Sequence, residues 1–237
     1  MEAALLNPAR PAPKKIYATE ERAKQIAALR GADGRPLGID LLVEIEPNGD
    51  IARHLPPGAS HQGVAVRTPP LEPVDIDLFC ESPGGVLVML DQVTDPQNVG
   101  AILRSAAAFG ARGVIMQDRR SPPLAGALAK AAAGALEKIP CATVTNLSRT
   151  LDSLAEAGWR AIGLAGESQT NLDDALDGEP TVLVLGSEGE GLRRLVSERC
   201  DLLARIPMPG GFESLNVSSA AAIALYAAAV QNRAKGE

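Results

Sequence analysis

Short, mostly apolar runs alternate with helical segments along the chain from Gly85 onward. Each run has the length of a strand, and the runs are Val86–Leu90, Gly113–Met116, Ile139–Val144, Ala161–Ala165, Thr181–Leu185 and Leu202–Met208. Continuous apolar strands separated by helices are typical of a mostly parallel sheet that helices cover on both faces. The sequence therefore predicts an α/β fold for residues 85–237.

The first 68 residues predict a separate, smaller α/β unit. A threonine followed by acidic residues predicts a helix over Glu20–Leu29. The other predicted elements are a short helix over 3–8, strands at Lys15–Ala18 and Gly63–Val66, and a mixed strand and helix segment at Ile39–Ile45. A proline-rich, acidic stretch follows, and it predicts a linker over residues 69–84.

The composition predicts a cytoplasmic globular protein. Apolar residues make up 46% of the chain and charged residues 22%, which is ordinary for such proteins. No apolar stretch reaches the roughly 18 residues of a membrane span, and the start at Met1 has no signal-peptide pattern. We therefore expect no membrane association.

The cysteines and histidines are too few and too dispersed to predict a metal site. Cys80, Cys141 and Cys200 lie far apart and form no CxxC pair, and the chain has only two histidines. We expect reduced, structural thiols and no metal cofactor.

The net charge of −6 argues against a protein that coats nucleic acid without specificity. Up to residue 70 there are nine Lys and Arg against eight Asp and Glu, a net of +1, and from 71 onward 14 against 21, a net of −7. Any nucleic acid would therefore have to meet local basic patches, such as Arg10, Lys14 and Lys15 or Arg119 and Arg120.

Three loops are predicted at the carboxyl ends of strands, where ligands bind in parallel sheets. They span residues 91–100, 186–191 and 206–218, and the last combines glycines with Ser and Asn before a long helix. Glycines allow a backbone to approach a ligand closely, and the first turn of a helix offers unpaired N–H groups. The loops join one edge of the sheet, so they can converge on one pocket.

Two features of these loops restrict the chemical class of ligand that they can bind. The loop Gly186–Gly191 matches neither phosphate-binding glycine pattern, and its Glu188 and Glu190 would repel a pyrophosphate. A neutral or cationic ligand suits it better. Arg104 stands among alanines early in a predicted helix, where the helix dipole does not favour a cation, so a functional contact is the economical explanation.

Three motifs resemble those of the SpoU/TrmH family of RNA ribose 2′-O-methyltransferases, in the SPOUT superfamily. They are Asp95–Gly100 with Arg104, then Gly186–Gly191, and then Ile206–Met208 with Ser214–Ser218. The motifs occur in the right order over residues 85–237. The resemblance implies a SPOUT-type α/β fold with a C-terminal trefoil knot, S-adenosylmethionine as methyl donor, an RNA substrate and a homodimer.

The resemblance also assigns site residues by motif position. The catalytic and site-shaping positions fall on Asn98, Arg104, Glu188, Ser214 and Asn216. The methyl donor is expected against the backbone at Leu185, Gly186, Ile206, Met208 and Leu215. Glu188 has an equal structural alternative, as a helix cap or as an ion-pair partner across the dimer.

The first 68 residues resemble the L30e-like RNA substrate-binding domain that precedes the catalytic domain in many members. His61–Val64 resembles the phrase that ends this domain, and His61 is interpreted as a hydrogen-bonded residue rather than a catalyst. The relatives usually open with a further strand, so we hypothesise that the true start lies a few residues upstream of Met1. This layout is most similar to the branch that methylates guanosine in 23S rRNA.

The proposed chemistry is methyl transfer to a ribose 2′-hydroxyl, which requires in-line alignment and removal of one proton. A guanidinium with a pKa above about 12 is a poor base. We hypothesise that Arg104 positions the hydroxyl and an RNA phosphate, and that the phosphate or Arg104 takes the proton. The alternatives are tRNA as substrate, or a catalytically silent RNA-binding or ribosome-assembly protein. The methylated nucleotide is left open, and so is the choice between free RNA and a ribosomal precursor.

Overall fold

The computed structural model describes residues 1–211 and 214–236, with side chains through Arg233. Phe212 and Glu213, which belong to the third predicted loop, lie outside the described residues. The chain separates into two units, Met1–Glu72 and Pro73–Glu237.

The smaller unit is built on a three-stranded sheet of order β2-β1-β3. Strand β1 (Lys15–Ala18) runs parallel to β2 (Val43–Ile45) and antiparallel to β3 (Val64–Arg67). Its helices are α1 (Glu2–Leu6), α2 (Glu20–Ala27) and α3 (Asn48–Ile51). The predicted mixed segment is confirmed, because a 3₁₀ turn at Asp40–Leu42 leads into β2. The core of this unit is small and centres on Ile16, Ala18 and Ile26.

The second half of the predicted linker belongs to the larger unit. Helix α4 (Asp77–Cys80) lies within residues 69–84, and Phe79 is buried in the core of the larger unit. The indole Nε1 of Trp159 donates a hydrogen bond to the carbonyl oxygen of Phe79 at 2.8 Å. The prolines and acidic residues of this stretch are typical of a linker, but the stretch also contains one short helical turn, and Phe79 of that turn packs in the core.

The larger unit contains the predicted mostly parallel sheet. Its strands are β4 (Val86–Leu90), β5 (Gly113–Gln117), β6 (Cys141–Val144), β7 (Arg160–Leu164), β8 (Thr181–Leu185) and β9 (Leu202–Ala204). The spatial order is β6-β5-β4-β8-β7-β9, and all five pairings are parallel. The residues of β4, β5 and β8 are all buried, as expected for central strands covered on both faces.

The helices of this unit are α5 (Pro96–Ala108), α6 (Gly126–Ala131), α7 (Leu147–Glu156), α8 (Leu172–Ala175), α9 (Arg194–Ser197) and α10 (Val217–Gly236). Five of them agree with the prediction in place but not always in length, and α8 was not predicted. The single helix predicted over Pro122–Leu136 is wrong. Positive φ angles at Ala133 (48°) and Gly134 (91°) break it into α6 and a 3₁₀ turn. None of the described helices has both the length and the apolar character needed to cross a membrane.

Close packing of α5 against α6 sets the position of α5 over the sheet. A Cβ atom placed on Gly100 would lie 2.4 Å from the Cβ of Ala131, so only glycine fits at this crossing. Leu90 at the end of β4 pairs with Leu185 at the end of β8. The loops that follow these two strands therefore start side by side at the carboxyl edge of the sheet.

Candidate active site

Side chains from all three predicted loops meet at the carboxyl edge of the sheet. The side-chain amide of Asn98 donates to Glu188 Oε1 at 3.1 Å, and that of Asn216 donates to Asn98 Oδ1 at 3.0 Å. Asn216 also donates to Glu188 Oε1. We call these three residues the polar network. The predicted convergence of the loops is thus present in the structure.

Asn98 is placed by the N-terminus of α5. The Asp95 carboxylate accepts a hydrogen bond from the backbone N–H of Gln97 at 3.0 Å, and Pro96 occupies the first helical position. Both features start helices. Helix α5 consequently begins five residues earlier than the predicted Ala101 and carries Asn98 in its first turn.

Glu188 is placed by a tight loop after β8. Ser187 and Gly191 exchange two backbone hydrogen bonds, at 3.1 and 3.0 Å. A Cβ atom on Gly186 would lie 2.1 Å from the carbonyl carbon of Gly191, so the two backbones meet where no side chain fits. The loop folds back on itself and leaves the exposed Glu188 near its tip.

Asn216 is the N-cap of the long helix α10. Its Oδ1 accepts hydrogen bonds from the backbone N–H groups of Ser218 at 2.9 Å and Ser219 at 3.4 Å. An Asn at this position satisfies N–H groups that have no partner within the helix. Its amide remains free to join the polar network, so one side chain starts the helix and completes the site.

The structural alternative for Glu188 is realised in part. Its Oε1 accepts the backbone N–H of Val217, the first residue of α10, at 3.4 Å. The carboxylate therefore lies at the positive end of the α10 dipole, which favours a negative charge. Capping and a role toward a ligand are compatible, because the side chain is exposed.

An ion pair with a buried carboxylate joins two of the same loops and was missed at the sequence level. Asp91 is completely buried, and its Oδ1 lies 2.7 Å from both Arg193 Nε and Arg193 Nη2. The backbone N–H of Arg193 donates to Asp91 Oδ2 at 2.9 Å. Asp91 follows β4 and Arg193 follows the β8 loop, so this pair ties the two loops together. A lone acid directly after an apolar strand was the available signal.

The residues expected against a methyl donor lie at the end of β8, beyond β9 and just before α10. Leu185 is buried at the end of β8, and Gly186 follows it. Ile206 and Met208 are half-buried beyond β9, and Leu215 is 37% exposed. The arrangement offers backbone groups and apolar contacts with a carboxylate close in sequence, which suits a ligand that combines an apolar surface with positive charge.

Two predicted site residues lie outside the polar network. Arg104 is exposed on α5, six residues beyond Asn98 and therefore about 9 Å further along the helix. Ser214 is also exposed. Neither has a hydrogen bond to Asn98, Glu188 or Asn216 in the described part of the chain.

Three residues outside the site follow the interpretation given above. The Nδ1 of His61 accepts the backbone N–H of Gly63 at 3.2 Å, which is a structural role. Burial raises the pKa of the Cys141 thiol to about 12, and burial together with Asp201 and Asp91 does the same for Cys200. Within residues 1–211 and 214–233, no group of His, Cys, Asp and Glu has the arrangement of a metal site.

Sequence comparison places these features in a family. The model described as the SpoU rRNA methylase family matches residues 85–226. An uncharacterized tRNA/rRNA methyltransferase of Mycobacterium avium is 46% identical over 177 residues, 73% of this chain and 57% of that protein. One from Mycolicibacterium smegmatis is 42% identical over 214 residues, 88% and 65%. The chain spans less than two thirds of the length of these relatives.

Structural comparison gives the same result for the fold. The AdoMet-bound rRNA methyltransferase of Sinorhizobium meliloti is 25% identical, with a TM-score of 0.73 over 91% of this chain and 79% of that one. The SpoU methyltransferase AviRb of Streptomyces viridochromogenes, solved with AdoMet, has a TM-score of 0.77 over 98% and 86%. At 23% identity, the second likeness concerns the fold alone.

Proposed function

Because the chain belongs to the SpoU rRNA methylase family, we propose that it transfers a methyl group from S-adenosylmethionine to a ribose 2′-hydroxyl of RNA. The observation that carries this proposal is the polar network. Asn98, Glu188 and Asn216 come from the three separated motifs of the resemblance, and they hydrogen-bond to one another at one edge of the sheet.

The methyl donor binds along the ends of β8 and β9 in this proposal. Leu185, Gly186, Ile206, Met208 and Leu215 supply backbone groups and apolar contacts there. When bound, S-adenosylmethionine supplies an activated methyl group on a sulfonium. The Glu188 carboxylate attracts the positively charged sulfonium, whereas it would repel a phosphate. It is exposed and forms no ion pair with any of the described residues, so its charge is available to the ligand.

The polar network and Arg104 orient the acceptor. The amides of Asn98 and Asn216 hold Glu188 in place, and the side chain of Arg104 extends from the same helix as Asn98. An exposed guanidinium binds a phosphate oxygen and a hydroxyl together in its fork. Arg104 therefore positions the 2′-hydroxyl and an RNA phosphate, and the phosphate takes the proton; Arg104 accepts it only as a neutral guanidine. Ser214 contributes a hydroxyl beside the third motif.

The substrate in this proposal is a guanosine of 23S rRNA. The support is the layout, in which a small α/β unit with an L30e-like role in RNA binding precedes the catalytic unit. The relatives are named as tRNA/rRNA methyltransferases, so tRNA is the second candidate. A catalytically silent RNA-binding or ribosome-assembly protein is the third, and an intact polar network argues against it.

The catalytic unit acts as a cytoplasmic homodimer in this proposal, with a trefoil knot at its C-terminal part and no metal. An apolar stripe supports the dimer. Ile223, Tyr226 and Val230 are 42%, 59% and 47% exposed along one side of α10, and the ring of Tyr226 contacts that of Phe109. Contiguous exposed apolar residues of this kind mark protein interfaces.

The test is methyl transfer from labelled S-adenosylmethionine to unmodified 23S rRNA and, in parallel, to unmodified tRNA, with the label mapped to a nucleotide. Label on a guanosine ribose of 23S rRNA is expected. Label on tRNA would favour the second candidate. Donor binding without any transfer to either RNA or to a precursor particle would contradict the proposal and favour the silent protein.

A further inference from the structure

A cavity lies at the carboxyl edge of the sheet, beyond the ends of β5 and β6. Its volume is about 310 Å³, and its polar lining comes from Gln117, Thr145, Asn146, Ser148, Arg193 and Arg194. This volume is in the range of small-ligand sites. Strand β5 is the neighbour of β4, so the cavity begins about 5 Å, one strand spacing, from the loop that carries Asp91.

Gln117 is the unusual residue of this cavity. Its side chain is 91% buried, and its Oε1 is the one buried side-chain oxygen or nitrogen without a hydrogen-bond partner in the described part of the chain. Leaving a buried carbonyl oxygen unpaired is unfavourable, and native structures rarely do so without a reason. The Oε1 atom itself is covered, so a ligand that brings an N–H or O–H donor reaches it only when the amide of Gln117, a residue that lines the cavity, turns toward the opening.

The N-terminus of α7 offers hydrogen-bond donors to the cavity, in contrast to the acceptor on Gln117. Asn146 Oδ1 caps the helix by accepting the backbone N–H of Arg149 at 3.1 Å, while the N–H groups of Leu147 and Ser148 come before any possible partner within the helix. Together with the helix dipole, these groups favour an anion. The cavity thus offers an acceptor at Gln117 and an anion-binding end at α7.

Two arginines line the cavity and three more lie close to its lining residues in the sequence, although the chain is acidic. Arg119 and Arg120 follow Gln117 directly, Arg149 lies in the first turn of α7, and Arg194 begins α9; all four are exposed. Two carboxylates partly offset them. Asp118 accepts the Thr145 hydroxyl at 3.0 Å, and Glu198 pairs with Arg194 at 2.6 Å. Arg194 lines the cavity, and the other three arginines lie within three residues of lining residues along the chain, so this segment is locally basic on a protein with a net charge of −6.

We propose that this cavity binds one nucleotide of the substrate RNA next to the methylated one. The base or ribose donates a hydrogen bond to Gln117 Oε1, and the phosphate lies at the N-terminus of α7 with Arg194. The inference rests on the proposed function for the identity of the RNA. Arg193 contributes to both places, because it lines the cavity and holds Asp91 between the loops of the polar network.

The test is RNA binding by the variant Gln117→Leu, which removes the acceptor at nearly constant volume. Affinity for an unmodified 23S rRNA transcript is measured by filter retention, and affinity for S-adenosylmethionine by calorimetry. We expect RNA affinity to fall about 10-fold, as for one lost hydrogen bond of about 1.4 kcal/mol. The affinity for S-adenosylmethionine is expected to stay unchanged. The free energy of unfolding should not fall, since an unpaired buried oxygen is removed. Unchanged RNA affinity, or a loss of affinity for the methyl donor instead, would overturn the inference.

If Gln117→Leu fails to fold, binding of RNA in the cavity is tested by removing a positive charge from its lining, with a matched control elsewhere on the surface. Arg194→Ala should weaken RNA binding and lower the slope of log affinity against log salt by about one. Arg199→Ala removes another exposed arginine, paired with Asp152, and should leave the slope unchanged. Equal slopes for both variants and the wild type would overturn the inference.

The outcomes separate this inference from the proposed function. Binding does not depend on methyl transfer, so a wild-type protein that binds RNA without methylating it contradicts the proposed reaction alone. A wild-type protein that methylates RNA while Gln117→Leu binds RNA normally contradicts the cavity alone. Absence of any RNA binding by the wild type would overturn both.

Discussion

The loops after β4 and β8 are joined twice, and the two junctions are built in opposite ways. The Asp91–Arg193 pair has a carboxylate that is completely buried and held by three donors. The polar network of Asn98, Glu188 and Asn216 is made of exposed or half-buried side chains. A buried carboxylate that loses its cation is left as a desolvated charge, whereas exposed groups exchange partners with water at little cost. The first junction fixes the loops, and the second is available to a ligand.

Replacing Arg193 by Met should have the largest effect on stability. It leaves the Asp91 carboxylate buried with only the backbone N–H as partner, and we expect the free energy of unfolding to fall by about 3–5 kcal/mol. Chemical denaturation measures this. Arg199→Met is the matched control, since its pair with Asp152 is exposed and contributes about 0–1 kcal/mol. Equal effects of the two variants would break the comparison.

Replacing Gly186 by Ala tests whether the β8 loop is as tight as the backbone contact indicates. The added Cβ would lie 2.1 Å from the Gly191 carbonyl carbon, and we expect a loss of about 1–3 kcal/mol. Gly49→Ala is the control because its added Cβ meets nothing within 4 Å. A Gly186→Ala protein as stable as the wild type, by the same denaturation measurement, would mean that the loop can open freely.

Substitutions of Asn216 separate the start of α10 from the site. Asn216→Ala removes the cap and should cost about 1 kcal/mol of stability. Asn216→Ser keeps a capping oxygen but loses the amide that donates to Glu188 and Asn98, so its stability should stay near that of the wild type while its methyl transfer falls. Thermal unfolding and labelled transfer, measured on the same preparations, check this. If Asn216→Ser kept full transfer, the amide would have no role in the site.

The fall of stability at alkaline pH tests the burial of Cys141, a residue of the edge strand β6 that lies outside the polar network. The pKa of Cys141 is raised by burial from 9.0 to about 12. Above pH 9 the unfolded chain loses this proton while the folded protein keeps it, so stability falls as the pH rises from 9 toward 12. Denaturation midpoints at pH 8 and 10.5 should differ less for Cys141→Ala than for the wild type. The same difference in both proteins would show that this thiol is not buried as described.

Periodicity and turn signals predicted most of the fold. The apolar runs at Val86–Leu90 and Thr181–Leu185 match β4 and β8 residue for residue. The predicted helix boundaries are wrong where the structure is determined by contacts that are not local in the sequence. Ala133 adopts a positive φ inside a run of strong helix formers, and Phe79 is held in the core by Trp159, which lies 80 residues away. Tertiary packing overrides local preference at such places.

The sequence predicted which three residues form the polar network but not how they are held. The resemblance named Asn98, Glu188 and Asn216, and the structure joins them. The resemblance did not indicate that Asn216 caps α10, nor that Asp91 is buried against Arg193, because these roles depend on the register between strands distant in sequence. In the sequence, Gln117 is an ordinary polar residue at the end of an apolar strand. Only the structure shows that it is buried with an unpaired side-chain oxygen.

The central claim is that the exposed polar network is the reaction site, and Glu188→Ala tests it most directly. The measurement is the single-turnover rate of methyl transfer from S-adenosylmethionine to the RNA that the wild type modifies, alongside the free energy of unfolding. The account predicts a rate that is lower by at least about 10-fold, the equivalent of 1.4 kcal/mol. Stability should stay within about 1 kcal/mol of the wild type, because the side chain is exposed. A wild-type rate in a normally folded Glu188→Ala protein would contradict it.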